Sequence, residues 1–509
     1  MMGTDKPGHV IPAVLAAVTA LGHLLTAEDS YGIFRDELYY VANGQHLDYG
    51  YVDHPALIGW ISWLTTTLFG ESLLALRLFP ALAAGITVLV VCLIAREMGG
   101  QRWGLWLAGI ATALAPVYVA TFGYLSMNAF DVMFWAMAVL IVTHLLATGE
   151  LRWWMAFGFV AGIALENKIS MLFLGFGIVA GLLLTRDWQH FKNRWLWTGG
   201  LLALLLFLPY LLWQVTHDWA TLEFMSRAAH FKNLPLSPGE FLSAQVLQMN
   251  PIVLPLTLAA LAFYFLMPQG RSFRALGWAC LAILALMILQ RAKAYYYAPA
   301  FTIVLPAGGV AVERLTSRPL LRWLQPAYCL LIAMSGLALV PFAKPVLPVE
   351  TFVEYQAMMG MQPGTAERHE LERLPQFFAD RIGWRELAET VAAVLNDLPP
   401  EEQTEACIFA QNYGQAGAID FFGPALGLPP AISGHNSYWW WGPGDCSGRA
   451  VIIIGGELED HRRSFASVER ATTYTCQDCM PYENNKPIWV CREPQIDLDA
   501  AWSQVRHYN

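Results

Sequence analysis

Apolar runs of close to twenty residues recur between residues 9 and 341, and polar breaks divide them into eleven expected spans: 9–28, 72–95, 103–122, 128–147, 152–167, 169–185, 195–215, 251–267, 274–290, 296–313 and 320–341. A helix of about 20 apolar residues crosses a hydrocarbon core of roughly 30 Å. Several runs are shorter, so tilting, breaks or local thinning must make up the difference. The divisions at 122–128 and 167–169 hold few polar residues and are the weakest. Beyond 345 the pattern changes. "EACIFAQNYGQAGAIDFFG" predicts a strand, a Gly-marked turn and a helix, and "GRAVIIIGG" a buried strand ending in a Gly turn. "ERHELERLPQFFADRIGWRELAETVAAVL" has helical spacing on either side of a break. The expected fold class is therefore mainly α. A multi-span membrane domain covers 1–344, and a soluble, extracytoplasmic α/β domain covers 345–509.

Composition agrees with this division. The chain is 56% hydrophobic and 14% charged, against about 25% charged in a soluble domain. A net charge of −9 argues against nucleic acid as a partner. Loops carrying Arg96 and Arg102, Arg152, Arg186 with Lys192 and Arg194, Arg271 with Arg274, and Arg314 with Arg318 and Arg322 alternate with basic-poor loops. The positive-inside rule puts the first set in the cytoplasm, so the N-terminus lies inside and the tail outside. The first apolar run reads as a retained span, not a signal peptide, because no A-x-A-like cleavage site follows it. Cys92, Cys280 and Cys329 lie in apolar runs and read as small core residues. Cys407, Cys446, Cys476, Cys479 and Cys491 lie in the tail, where one or two disulfides are expected in an oxidising compartment. "CQDC" could be a zinc half-site, but a second pair of matching spacing is missing.

Ionisable groups near hydrocarbon are costly and usually functional. On the outer side stand Asp36-Glu37 and Asp53-His54 in "FRDELYYVANGQHLDYGYVDHPAL", then Asp131, Lys168, and Arg291 with Lys293. The loop 216–250 adds His217, Asp218, Glu223, Arg227, His230 and Lys232. Each has a plain structural reading. Arg291 and Lys293 could snorkel to the interface. Lys168 could pair with Glu166, and Asp131 could cap the helix starting near Asn128. Asp36 and Glu37 could solvate a loop, although Phe34, Leu38, Tyr39 and Tyr40 surround them. Together, early acids suit deprotonating or orienting a hydroxyl, and later cations suit gripping a phosphate. That combination points to chemistry on a lipid-linked phosphate, provided the acid and the cations meet in one pocket.

"FRDELYY" followed by "YGYVDHPALIGWI" resembles the first outer loop of the GT-C membrane glycosyltransferases, in the bacterial protein-mannosyltransferase-like or aminoarabinose-transferase-like branch of glycosyltransferase family 39. The family's second proline in that loop is Ala56 here. "SMNAFD", "ENKISML", "KAYYYAPAF" and, in the tail, "QNYGQAGAIDFFG" and "SGHNSYWWWGP" extend the resemblance along nearly the whole chain. It implies a GT-C fold of about eleven spans and transfer of a sugar from a polyprenyl-phosphate donor, with inversion. The acceptor would be a hydroxyl of a lipid, glycan or protein at the outer face of the inner (plasma) membrane. Which sugar and which acceptor stay open. Carried over by position, Asp36 is the catalytic base, and Glu37 orients it or the sugar hydroxyls. Asp53, His54 and Asp131 approach the substrates. Lys168, Arg291 and Lys293 hold the donor phosphate, with Tyr295 and Tyr296 bonding to it or stacking on the sugar. Arg227 and His230 are further candidate substrate contacts.

No cofactor is required by this scheme. Paired acids at 36–37 could bind a divalent metal, but a hard cation wants more oxygen ligands than the sequence groups there, so a metal is not favoured. "LIGWISWLTTTLFG" reads as an interfacial helix or a short buried one. The three tryptophans of "SYWWWGP" would pack the tail onto the membrane domain or bilayer edge, or stack on an acceptor sugar. A lipid or sugar transporter would also keep charges in a membrane cavity. It should show internal repeats or mid-span charges, and neither is clear in the sequence.

Overall fold

The structure is a computed structural model describing residues 10–508 apart from 29 and 366. It falls into two compact units, one built from the described residues up to 28 with 74–212 and 235–346, the other from 30–73, 213–234 and 347–508. The boundary near 346 lies close to the expected one, but the second unit also takes in the opening loop and the segment 213–234.

The first unit is helical. Among the described residues, six helices are long and apolar enough to cross a membrane: Leu73–Glu97, Met127–Thr148, Arg194–Thr216, Pro268–Leu289, Ala294–Leu315 and Pro319–Ala343. The pair Pro238–Gln248 and Pro251–Phe265 passes the same test together, bent by 97°. Asn250 makes that bend, with a φ of +74° and its side chain accepting the Ile252 N–H at 3.1 Å. Val10–Leu25 and Met171–Leu184 are shorter apolar helices. The expected span 103–122 is divided into Arg102–Ala113 and Pro116–Thr121, because Pro116 restarts the helix.

The protein is thus a multi-pass membrane protein. Lipid-facing and interior helices separate by burial: 17% of the apolar window of Arg194–Thr216 is buried, against 83% of that of Ala294–Leu315. Small residues let helices touch backbone to backbone. A Cβ at Gly181 would lie 2.0 Å from the Ala275 carbonyl oxygen, which leaves no room for a side chain. Lys344, buried where the last long helix ends, donates to the His23 carbonyl at 3.1 Å and to Thr26 Oγ1 at 2.7 Å, which ties the first helix to the last.

The second unit holds the C-terminal α/β domain. Its sheet has the order β2-β1-β3-β5-β4, where β1 is Cys407–Ala410, β2 Ala431–Ser433, β3 Val451–Ile454, β4 Phe465–Tyr474 and β5 Lys486–Pro494. The first three strands are parallel, and β5 and β4 continue the sheet antiparallel. The expected strand–helix unit is present as β1 and the helix Tyr413–Phe422, although the turn between them is capped by Asn412 rather than marked by glycine. Asn412 Oδ1 accepts the Gly414 and Gln415 N–H groups at 2.9 and 3.0 Å. The expected Gly turn after β3 is Gly455-Gly456, both at positive φ. The break at 383 is a glycine at φ +96° that starts the helix Trp384–Asn396, but before it only Gln376–Ala379 of the expected helical stretch is helix, and the described residues of 367–375 are not helical. Cys407 and Cys446 form a disulfide.

In the opening loop, the helices Arg35–Gln45 and Leu57–Phe69 cross at Gly44, where a Cβ would meet the Trp63 nitrogen at 2.8 Å. Leu57–Phe69 buries Ile58, Gly59, Ser62 and Thr65 while Trp60, Trp63, Leu64, Leu68 and Phe69 stay exposed. This inverted helix turns its largest apolar side chains outward, as an interfacial helix does.

Candidate functional site

Asp36 sits in the first turn of Arg35–Gln45. The neighbouring Glu37 is fully buried and accepts the Phe34 N–H at 2.9 Å, so it fastens the start of the helix. Asp36 points the other way. The Tyr413 hydroxyl donates to its Oδ1 at 2.9 Å, and Arg35 Nε lies 3.8 Å from the same oxygen. Arg35 reaches Asp380 Oδ1 at 3.7 Å and hydrogen-bonds Tyr482, whose hydroxyl donates to Asp380 at 2.9 Å. Burial raises the Asp380 carboxyl above the ordinary range, opposed by Arg35. Side-chain exposure separates the acids of this network: 32% for Asp36, 16% for Asp53 and 1% for Asp380. Asp36 is the one poised to meet a solute.

A second cluster lies alongside on the same helix. The Tyr39 hydroxyl is 2.9 Å from Asp53 Oδ1 and 2.7 Å from Ser437 Oγ. Burial raises the Asp53 carboxyl, and the hydrogen bond from Tyr39 opposes the shift. His54 is buried, with Nδ1 on the Pro55 carbonyl at 2.8 Å and Nε2 on the Asn43 amide at 3.0 Å. Those bonds leave Nδ1 as the donor and Nε2 as the acceptor.

Arg35, Asn412, Tyr413, His435 and Tyr482, together with Phe231, Lys232, Arg368 and His369, line a cavity of about 240 Å³. It opens beyond the carboxyl ends of β1 and β2. Asp36 is not itself among the lining residues, but Arg35 and Tyr413, which are, both touch it.

The first unit carries its own cluster. Lys168 Nζ donates to Asn128 Oδ1 at 2.6 Å and lies 3.7 Å from Asp131 Oδ2. Asp131 is buried and accepts from Ser170 Oγ. The ammonium lies 5.0 Å from the Tyr296 ring centre and 5.8 Å from that of Tyr295. Those tyrosines belong to the 3₁₀ turn Ala294–Ala300, which Gln245 holds by donating to the Ala294 carbonyl at 2.9 Å. A lysine framed by two phenols and a carboxamide can bind an anion's oxygens while Asp131 fixes its position.

Residues 53–213 match the family model described as dolichyl-phosphate-mannose-protein mannosyltransferase. Over 277 residues the chain is 27% identical to lipid A galacturonosyltransferase RgtD of Rhizobium johnstonii, covering 53% of this chain and 58% of the relative. The chain thus spans little more than half the length of that curated relative. The crystal structure of ArnT from Cupriavidus metallidurans bound to undecaprenyl phosphate superposes with a TM-score of 0.63 at 14% identity, over 94% of this chain and 97% of that one. Its apo structure gives 0.62 at 16% identity. The fold is that of the GT-C membrane glycosyltransferases. The resemblance read from the opening loop therefore holds for the family model and for the fold.

Within this GT-C fold the candidate residues fall into several settings. Asp36 touches two residues that line the cavity, and Lys168, Asp131, Tyr295 and Tyr296 stand together. Lys168 pairs with Asp131 and Asn128, not with Glu166, the partner that a purely structural role suggested. Asp131 is not the helix cap either, since Ser126 takes that place by accepting the Asn128 N–H at 3.0 Å. Arg291 is exposed at φ +49°, and Lys293 is half-buried just before the tyrosine turn. Arg227 Nε donates to the Tyr508 carbonyl at 2.9 Å, and His230 Nδ1 turns back to the Ser226 carbonyl at 2.7 Å. The structure gives Arg227, His230, Asp53, His54 and Glu37 protein partners, and none of the five lines the cavity. Sequence reasoning missed the Arg35, Arg368, His369, Tyr413, His435 and Tyr482 lining. "QNYGQAG" held the available signal, because an N-cap directly after a strand marks the binding end of a sheet. The tryptophans at 439–441 pack within the second unit: Trp441 stacks on His46 at 4.1 Å, and Trp440 meets His217 at 4.5 Å. Among the described residues, no group of three or more His, Cys, Asp or Glu side chains stands together as a metal site.

Proposed function

We propose that this protein is an inverting glycosyltransferase. It moves a sugar from a polyprenyl-phosphate donor to a hydroxyl of a lipid, glycan or protein acceptor at the outer face of the inner membrane. Asp36 carries the reading: a partly exposed carboxylate held by Tyr413 and Arg35, two residues that line a cavity, in a fold shared with ArnT, which was crystallised with undecaprenyl phosphate. Asp36 takes the acceptor proton as the new C–O bond forms on the face opposite the departing phosphate, a contribution of roughly 10²–10⁴ in rate. The leaving group is already a phosphate and needs no proton. In the first unit, taken by itself, Lys168 is the candidate group to hold a donor phosphate, with Tyr295 and Tyr296 as hydrogen-bond donors and Arg291 and Lys293 adding positive charge; fixed charge of this kind acts strongly where water is scarce. The tail domain, 345–509, frames the acceptor side. Two features support its outer placement: the Cys407–Cys446 disulfide suits an oxidising compartment, and the basic loops lie on the alternate side of the spans.

The test compares wild type with Asp36→Asn in proteoliposomes supplied with polyprenyl-phosphate sugars and extracted envelope acceptors, with products read by mass spectrometry. A drop in turnover of two or more decades with donor binding kept supports the reading. Full turnover in the variant, or no transfer product from wild type with any donor, defeats it and leaves transport as the better account.

A further inference from the structure

The connection from β4 to β5 runs from residue 475 to 485, and it supports the cavity from behind. Tyr482 hydrogen-bonds Arg35 and Asp380, and Glu483 accepts from Asn412 at 2.8 Å and Gln415 at 2.7 Å. Asp478 pairs with Arg373, which also binds Glu350. The same connection contains Cys476-Gln477-Asp478-Cys479. The chain doubles back there, with Asp478 at φ +70° and Cys479 Sγ 3.4 Å from the Cys476 carbonyl. Asn484 Oδ1 closes the base of the turn by accepting the Cys476 N–H at 2.9 Å. At Gly383 a Cβ would stand 2.5 Å from Cys476 Sγ, so the start of the helix Trp384–Asn396 is packed against that sulfur.

We propose that Cys476 and Cys479 form a reversible disulfide that fastens the turn carrying Tyr482 and Glu483. Three further observations bear on it. The same domain already holds the Cys407–Cys446 disulfide, so its surroundings permit oxidised pairs. Cys476 is partly exposed while Cys479 is buried, the arrangement of an attacking and a resolving thiol. A hydrogen bond from Cys479, helped by Tyr474, holds the Cys476 thiol below its ordinary range.

The exchange needs a partner of the thiol–disulfide oxidoreductase class. The Cys476 thiolate attacks one sulfur of the partner's disulfide, forming a mixed disulfide and releasing one partner thiolate. Cys479 then loses its proton and attacks Cys476 Sγ, which expels the second partner thiolate. Two electrons pass from the cysteine pair to the partner, and the two thiol protons end on the partner's sulfurs. The inference does not depend on sugar transfer.

The full-length protein in native membranes is quenched in acid, alkylated under denaturing conditions with a light maleimide, reduced, and alkylated with a heavy one. Heavy label on Cys476 and Cys479 is expected, beside heavy label on Cys407 and Cys446. Light label on both Cys476 and Cys479 overturns the proposal. Hydrogen exchange over 475–485 then reads the fastening. Mild reductant should speed it at least threefold in wild type and leave the Cys476→Ser/Cys479→Ser variant, which keeps Cys407–Cys446, unchanged. An unaltered wild type, or a variant that responds equally, overturns it.

Discussion

The two units use their charged side chains in opposite ways. In the first, a charge meets one or two partners, and often these are the ends of helices. Glu313 accepts the Gln101 and Trp103 N–H groups at 2.7 and 2.8 Å, Lys344 satisfies a carbonyl, and Lys168 leans on Asn128 and Asp131. In the second, Arg35, Asp36, Asp380, Tyr413 and Tyr482 form one mesh drawn from four stretches of chain. A helix bundle in lipid keeps a charge only where unsatisfied backbone or a single counter-charge receives it. A mixed sheet beside a polar loop can share charge among phenols. The first arrangement suits a fixed phosphate grip, and the second suits a base whose orientation is tuned by several bonds.

Lys168→Met should give the largest separation between the two. It removes the first unit's central cation and leaves Asp36 untouched. Loss of a charged hydrogen bond to phosphate of about 1.5–3 kcal/mol should weaken binding of undecaprenyl phosphate roughly 10- to 100-fold, measured by titration in detergent. Unchanged binding would remove the first unit's cluster from the donor site. Gly417→Ala attacks the other side. Its Cβ would come 2.9 Å from Leu38 Cβ and 3.2 Å from the Leu38 carbonyl carbon, where the helix Tyr413–Phe422 meets the helix bearing Asp36. Overpacking of this kind costs about 1–3 kcal/mol. A lower melting temperature and faster proteolysis within 30–73 are expected, with helicity of the spans preserved. An unshifted melting curve would mean that the two helices part more easily than their contact suggests.

The spans were legible because hydrophobicity over twenty residues is a long, redundant signal, and no single position decides it. Each of the eleven expected runs coincides with helix, although Trp154–Asn167 and Met171–Leu184 have only 14 residues each. The tail's strands at 407–410 and 451–454 were legible as short apolar runs beside turn signals. The hairpin of β4 and β5 was not, because "SVERATTYT" alternates apolar and polar residues too weakly to announce a ten-residue strand. In the candidate site, Asp36 could be singled out from its local company of aromatics. Its hydrogen-bond donor, Tyr413, is 377 positions away. No local pattern carries a pairing at that separation. Glu37 stands beside Asp36 in the sequence, yet it is buried and accepts the Phe34 N–H, a bond that no local pattern announces.

Tyr413→Phe probes the mesh more gently. It deletes the hydrogen bond to Asp36 Oδ1 and keeps the ring against Tyr39, 4.8 Å away between centroids. A bond of this kind is worth about 0.5–1.5 kcal/mol, so kcat should fall by up to roughly tenfold with donor binding unaltered. A fall as deep as that of Asp36→Asn would make the phenol itself a participant in the chemistry, and no change would leave Arg35 as sufficient to orient the carboxylate.

The smallest effect tests whether the second unit's buried acids are held near neutrality by burial. Glu483 is 5% exposed and accepts from Asn412 and Gln415, and burial raises its carboxyl above the ordinary range despite those bonds and the nearby Lys486 and Arg35. A carboxyl whose folded value lies above its unfolded one stabilises the fold fully when pH is below the unfolded value, about 4.3 for Glu. That contribution is lost as pH rises through the folded value. Glutamine does not titrate. Glu483→Gln also turns an amide nitrogen toward one of the two donors, a fixed cost that does not vary with pH. The offset between variant and wild type is therefore uninformative, and the slope decides. Melting temperatures of the full-length protein from pH 4 to pH 7.5 should shift progressively in favour of Glu483→Gln relative to wild type. A constant difference across that range would mean that the carboxylate ionises as readily in the folded state as in the unfolded one, so that the Asn412 and Gln415 amides and the nearby charges just offset the desolvation.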